Sequence, residues 1–98
     1  MLEILKSAIF DAWLAGLKDR KGRAKIQARI DRLAAGNPGD VKPAGSGVSE
    51  MRIDFGPGYR LYYIQPNRSR AVLLCGGDKH TQDTDIKHAV RMAEQWRK

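Results

Sequence analysis

The 98-residue chain has a single cysteine, Cys75. It therefore cannot form an internal disulfide or a Cys-type zinc site, and the small secreted scaffolds stapled by disulfides are excluded. Long apolar runs are missing too. The longest, Ala71 to Cys75, is far short of the ~20 residues that a membrane-spanning helix needs. There is no charged-then-apolar N-terminal segment with a cleavage site, which predicts a cytoplasmic protein without a signal peptide. Aromatic residues are sparse at 7%, yet hydrophobic residues reach 42%. That is too many for a disordered chain and enough for one packed core, and the length fits one small domain. Negative charge is also scarce: 11 acids face 18 lysines and arginines, for a net charge of +7 and a pI near 9.9. A small domain this basic is either simply well solvated or meets nucleic acid, an anionic membrane surface or an acidic protein.

Hydrophobic periodicity supplies the organisation. Residues 2–5 alternate and predict a short first strand. Ser7 is a suitable helix N-cap, and Phe10, Trp13, Leu14 and Leu17 follow at helical spacing. After a polar break at 18–22, a second helix is expected over about residues 22–35. Ile26, Ile30, Leu33 and Ala34 form its apolar face, with a basic stripe of Lys25, Arg29 and Arg32 beside it. Gly36, Asn37 and Pro38 end it. Residues 36–47 hold four of the ten glycines and two of the four prolines, which predicts a loop, either a plain connector or a mobile segment flanking a site.

From residue 48 the period changes to two. Met51, Ile53 and Phe55 alternate with Arg52 and Asp54 in one expected strand. Gly56-Pro57-Gly58 turns the chain, and Tyr59, Leu61 and Tyr63 mark the return strand. After a second turn at 66–69, the apolar run Ala71–Cys75 predicts a central strand covered on both faces. A last helix is expected from about residue 83 to residue 97. Thr81 or Thr84 caps it, Asp83 and Asp85 suit its dipole, and Ile86, Ala89, Val90 and Ala93 face inward. The expected fold is α+β: a short N-terminal strand, two helices, a three-stranded antiparallel meander and a C-terminal helix, with the helices on one face of the sheet. There is no internal repeat. The single domain covers residues 1–98.

Few familiar catalytic constellations are present. No Walker-type loop occurs, and Gly56-Pro57-Gly58 introduces no helix, so it is a turn. His80 and His88, with Asp78, Asp83 and Asp85 nearby, allow a metal site but read more simply as solvated groups. Cys75 reads as a small core residue. The informative set is cationic and aromatic. Arg52 and Arg60 share one face of adjacent strands, Tyr62 follows on that face, and Lys79 and His80 come just past the apolar strand. Guanidinium and ammonium groups stabilise charge building on a phosphodiester. Tyrosine rings offer stacking surfaces for unpaired bases. A histidine, or a lysine or tyrosine of shifted pKa, moves protons. The alternative is that Arg52 and Arg60 pair with Glu50 and Asp54 while the tyrosines pack.

Several runs together resemble a known family. They are Arg23-Ala-Lys-Ile26, Arg29-Ile-Asp-Arg-Leu33, Gly36-Asn-Pro-Gly-Asp-Val-Lys42, Val48-Ser-Glu-Met-Arg-Ile53, Gly56-Pro-Gly-Tyr-Arg-Leu-Tyr-Tyr63, Leu73-Leu-Cys-Gly-Gly-Asp-Lys-His-Thr-Gln82 and Asp85-Ile-Lys-His-Ala89. In order and spacing they resemble the RelE/ParE toxin superfamily, most closely its HigB-like branch of addiction-module killer proteins. The resemblance covers nearly the whole chain and implies the RelE-type fold. It also implies the toxin of a type II toxin–antitoxin pair, a ribosome-dependent and metal-independent mRNA endonuclease that inhibits translation. In such enzymes the 2′-hydroxyl attacks the adjacent phosphate while the protein positions the strand, neutralises charge and moves protons.

Carried onto this chain, the resemblance implies catalytic roles for Arg60, Arg52, Lys79, His80 and Tyr62. Arg60 stabilises the transition state, Arg52 serves base activation or phosphate contact, and Lys79 serves phosphate contact or leaving-group stabilisation. The implied RNA-binding set is Lys42, Arg52, Arg60, Tyr62, Lys79 and Gln82, with no metal and no cofactor. The tyrosine common a few residues past the last basic position is missing, because Thr84, Asp85 and Ile86 stand there. His80 or Tyr62 is left for proton transfer. Glu50 occupies the place of a second lysine. The implied partners are a HigA-like helix-turn-helix antitoxin, the ribosome and mRNA. There is no membrane partner, and operator DNA is reached only through the antitoxin. Two other functions fit the same residues: a ParE-type poison of DNA gyrase and a non-catalytic RNA-binding module.

Overall fold

The computed structural model describes residues 1–97. Five strands form one sheet in the order β1-β5-β4-β3-β2. They are β1 (Glu3–Lys6), β2 (Val41–Gly45), β3 (Val48–Ile53), β4 (Tyr59–Asn67) and β5 (Arg70–Gly77). The helices are α1 (Ala8–Gly16), α2 (Arg20–Ala34) and α3 (Gln82–Trp96), with one 3-10 turn at Lys79–Thr81. β2 to β5 run antiparallel in sequence order, and β1 closes the far edge parallel to β5. The chain is the α+β fold expected from periodicity, with three differences.

First, the antiparallel meander has four strands rather than three. Val41–Gly45, expected within a loop, is the edge strand β2 and pairs with β3. Pro43 lies within it, which only an edge strand accommodates, because one rim of its backbone faces no partner. The pairing shifts register between Pro43 and Gly45. The hairpin then closes through three residues of positive φ: Gly45 at 101°, Ser46 at 54° and Gly47 at 78°. Second, β4 rather than β5 is the middle strand, with β5 lying between β4 and β1.

Third, the helices cover both faces of the sheet. Phe10 of α1 and Ile26, Ile30 and Leu33 of α2 pack with Met51, Ile53, Leu61, Tyr63, Ala71 and Leu73 on one face. On the other, Ala89, Met92 and Ala93 of α3 pack with Val48, Tyr62, Ile64, Val72, Leu74 and Cys75. Strands that are apolar at consecutive positions need such double cover, and residues 61–64 and 71–75 are all buried.

Local chemistry fixes the ends of the helices. The Ser7 hydroxyl accepts from Phe10 N at 2.9 Å, starting α1, and donates to Leu74 O at 2.5 Å, tying α1 to β5. Asp19 caps α2 through Gly22 N at 2.9 Å and accepts from the Tyr59 hydroxyl at 2.8 Å. Those two bonds hold its carboxyl below the usual range. Gly76 and Gly77 bring helices close to both faces at the end of β5. A Cβ at Gly76 would run into the Trp13 ring, and one at Gly77 would meet Asp85 and Thr81. α3 can therefore begin directly against the sheet, and the 3-10 turn that leads into it sets Lys79 beside Gly58 at the start of β4.

Candidate functional site

β3 and β4 place Arg52 directly opposite Arg60, and Glu50 opposite Tyr62, on the α3 side of the sheet. Two like charges directly opposed on adjacent strands destabilise a sheet unless counter-ions or a ligand answer them. Each arginine has a carboxylate beside it. Arg52 Nη2 bonds Asp40 Oδ1 at 3.0 Å, a pair with both side chains partly solvated. Arg60 Nε lies 3.8 Å from Glu50 Oε2, and Arg60 Nη1 donates to Gly58 O at 2.6 Å. Of the two carboxylates expected to pair with the arginines, Glu50 does stand beside Arg60. Arg52 instead takes Asp40 from the loop after α2, and Asp54 is not its partner.

Arg52, Arg60 and Lys79 meet in one open concavity of about 370 Å³, completed by Asp40, Ile53, Asp54 and Gly58. Gly58 has φ +80°, and a Cβ there would crowd Arg60 Nη1 and come into contact with Lys79 Cβ. The glycine thus gives the turn its left-handed residue and leaves room for both cations. Lys79 is exposed at the start of the 3-10 turn. That turn is capped by Asp78, which accepts from His80 N at 2.8 Å, and by a reciprocal Thr81 contact. His80, 83% exposed at its side chain, points its Nδ1 to Asp78 Oδ1 at 3.6 Å. It stands next to Lys79 in the chain but is not among the residues lining the concavity.

Glu50 is 0% exposed and gathers three more of the candidate residues around it. Its Oε2 accepts from the Tyr62 hydroxyl at 3.0 Å and from Gln82 Nε2 at 2.8 Å, and its Oε1 faces Lys42 Nζ at 3.9 Å. Tyr62 itself is fully buried, which corrects the expectation of a stacking surface: its ring is part of the α3-side core. Burial and then the bond to Glu50 raise its hydroxyl well above the ordinary tyrosine range, so it stays a protonated donor. Lys42, half-exposed on β2, and Gln82, at the start of α3, thus approach different oxygens of the Glu50 carboxylate.

The candidates therefore fall into three places. Arg52, Arg60 and Lys79 line the concavity, Lys42, Tyr62 and Gln82 surround Glu50 behind it, and His80 sits outside on the 3-10 turn. Arg29, expected in the basic stripe beside the apolar face of α2, turns toward the backbone of the neighbouring loop and of β3. Its guanidinium donates to Arg52 O at 2.6 Å, Pro38 O at 2.9 Å and Asp40 O at 3.3 Å, and so sets the backbone that carries both Asp40 and Arg52. Burial, and then the nearby Arg32, lower its pKa. Cys75 is buried, as a core role requires, and burial pushes its thiol up to about 12. Among the described residues, no group of three or more His, Cys, Asp or Glu side chains is placed to hold a metal ion, which leaves the His80/His88 grouping without a ligand set. No helix is long and apolar enough to cross a membrane among those residues.

A small α+β domain with a cationic concavity at the end of a twisted sheet is the class of protein these features define. Residues 12–98 match the family described as phage derived protein Gp49-like (DUF891), and the chain belongs to that family. It is also similar to an uncharacterized protein of Haemophilus influenzae, 49% identical over 94 residues, which cover 96% of this chain and 95% of the relative.

Proposed function

We propose that this protein is the toxin of a type II toxin–antitoxin pair and acts as a ribosome-dependent, metal-independent mRNA endonuclease. The observation that carries this reading is the meeting of Arg52, Arg60 and Lys79 in one open concavity. The association of the Gp49-like family with toxins of toxin–antitoxin modules supports it, as does the resemblance to the HigB-like branch of the RelE/ParE superfamily.

In this reaction the 2′-hydroxyl of one nucleotide attacks the phosphorus that links it to the next. The bond to the 5′-oxygen breaks, leaving a 2′,3′-cyclic phosphate and a 5′-hydroxyl. One proton leaves the attacking hydroxyl and one reaches the departing oxygen. Arg60, held from behind by Gly58 and Glu50, stabilises the charge on the phosphoryl oxygens. Arg52 contacts the phosphate on release from Asp40, and Lys79 stabilises the leaving oxygen. His80, exposed beside Lys79, is the group for proton transfer. Lys42 is half-exposed beside Glu50, and its ammonium adds phosphate affinity outside the concavity.

A net charge of +7 suits an acidic segment of a helix-turn-helix antitoxin, which would also carry the pair to operator DNA. The ribosome and mRNA are the remaining partners, and the cytoplasm is the site of action. The test is controlled expression in a bacterial host with mRNA 5′ ends mapped before and after induction. New ends inside translated codons are expected, and Arg60→Ala should lower their yield by about 100-fold, the scale set by removing one oxyanion donor. Growth arrest with intact mRNA and trapped gyrase–DNA breaks would replace this reading with a gyrase poison. Harmless expression with salt-sensitive RNA binding would replace it with a binding module.

A further inference from the structure

Glu50, like Tyr62 beside it, is a side chain that RNA cannot reach, since it is 0% exposed. It lies on β3 opposite Lys42 of β2 and Tyr62 of β4. Arg60 is its diagonal neighbour, at a separation that long side chains span. A buried carboxylate is costly unless it is paired and hydrogen-bonded. Here Oε2 is fixed by two neutral donors, the Tyr62 hydroxyl at 3.0 Å and Gln82 Nε2 at 2.8 Å. Those bonds hold a negative charge 3.8 Å from Arg60 Nε. Arg60 Nη1 is tied to Gly58 O at 2.6 Å. The guanidinium is thus held by one hydrogen bond through Nη1 and by the charge of Glu50 beside Nε, which is itself buried without a hydrogen-bond partner, while Nη2 makes no hydrogen bond among the described residues. Arg60 also lines the concavity.

We infer that Glu50 is a positioning residue: its buried carboxylate, locked by Tyr62 and Gln82, orients the Arg60 guanidinium toward the concavity and answers the charge of the opposed Arg52–Arg60 pair. The functional half of this inference rests on the proposed endonuclease reading; the geometric half does not. A carboxylate kept only for stability would be a poor choice here, because a buried ion pair is often matched or surpassed by apolar packing of similar volume. The donors that lock Glu50 come from β4 and α3, so two elements set the place of one anion beside one arginine.

The test is Glu50→Gln, which keeps the shape and an amide oxygen for Tyr62 and Gln82 but removes the charge. The first readout, independent of any activity, is the side-chain Nε–Hε nuclear magnetic resonance signal of Arg60. It is expected to move or broaden in Glu50→Gln while the backbone amide spectrum is otherwise retained. An unchanged Arg60 signal would overturn the inference whatever the enzyme does. The second readout is single-turnover mRNA cleavage with ribosomes. The expected result is a rate at saturation lowered at least about tenfold, with KM changed by less than about threefold. In an Arg60→Ala background, Glu50→Gln should then cost less than about twofold, because the two residues act through one guanidinium. Losses that multiply in the double variant would show that Glu50 acts elsewhere and overturn the inference. If the wild-type protein does not cleave, the endonuclease reading fails and the Arg60 signal alone decides the positioning role. Should Glu50→Gln not fold, Gln82→Ala removes one lock and leaves the charge, and the same displacement of the Arg60 signal is expected.

Discussion

Replacing Arg29 with methionine tests the link between the helical layer and the concavity. Methionine keeps much of the aliphatic stem and removes the three hydrogen bonds to Arg52 O, Pro38 O and Asp40 O. A hydrogen bond from a charged donor contributes about 1.5–3 kcal/mol. The two short bonds, at 2.6 and 2.9 Å, carry most of the effect, and the third, at 3.3 Å, adds little. Because Arg29 is only partly buried, water recovers part of the loss, and the expected net cost is about 3 kcal/mol. For a domain of this size each kcal/mol moves Tm by about 4–8 °C, so a fall of about 12–24 °C is expected. Urea unfolding followed by tryptophan fluorescence gives the free energy, and a thermal melt gives Tm. A loss below about 0.5 kcal/mol, the range of ordinary surface substitutions, would refute the claim that Arg29 fixes this backbone.

Gly76→Ala places a methyl group against the Trp13 ring and should cost about 1–3 kcal/mol by overpacking, read by urea unfolding with a shifted Trp13 emission. Cys75 should resist alkylation in the folded protein at mildly alkaline pH and react on unfolding, since burial pushes its thiol up to about 12. The same shift makes stability fall with pH: an unfolded thiol ionises from about 9, the folded one only near 12, so the contribution is full below 9 and lost on rising to 12. Burial raises Tyr62 and Tyr63 as well, so alkaline unfolding should steepen above the ordinary tyrosine range.

Much of the frame is legible in local pattern. Met51 and Ile53 against Arg52, and Leu61 and Tyr63 against Arg60, assign strand faces by period two alone. Register then opposes the two arginines, which follows from a tight hairpin around Gly56-Pro57-Gly58. Ser7 is readable as a cap because a hydroxyl stands just before an apolar helical stripe. β2 is not readable, since Val41-Lys42-Pro43-Ala44-Gly45 has the composition of a loop and becomes a strand only because β3 offers an edge that tolerates Pro43. The double cover of the sheet is signalled by the unbroken apolar run Ala71–Cys75, which one helical layer cannot serve.

Arg29 and Glu50 show where local pattern ends. Arg29 lies beside Arg32 and Lys25 on a helix and reads as part of a basic stripe. Its turn toward the neighbouring loop and β3 depends on the carbonyls of Pro38, Asp40 and Arg52, which only the folded chain gathers. Glu50 sits in phase with Val48 and Arg52 on β3, a signal that it shares a face with the site. Its burial depends on Tyr62 and Gln82, 12 and 32 residues away. Periodicity assigns a residue to a face; whether that face is wet or closed by a helix is a non-local outcome.

The most direct measurement of the central claim uses purified protein, translating ribosomes and a defined mRNA, with the chemistry of the new ends determined. Cleavage that requires ribosomes, leaves 2′,3′-cyclic phosphate and 5′-hydroxyl ends, stops when the attacking 2′-hydroxyl is replaced by hydrogen and is lost in Arg60→Ala is the expected result. Intact mRNA, or cleavage that persists in Arg60→Ala, would contradict the assignment of the Arg52–Arg60–Lys79 concavity as an RNA-cleaving site.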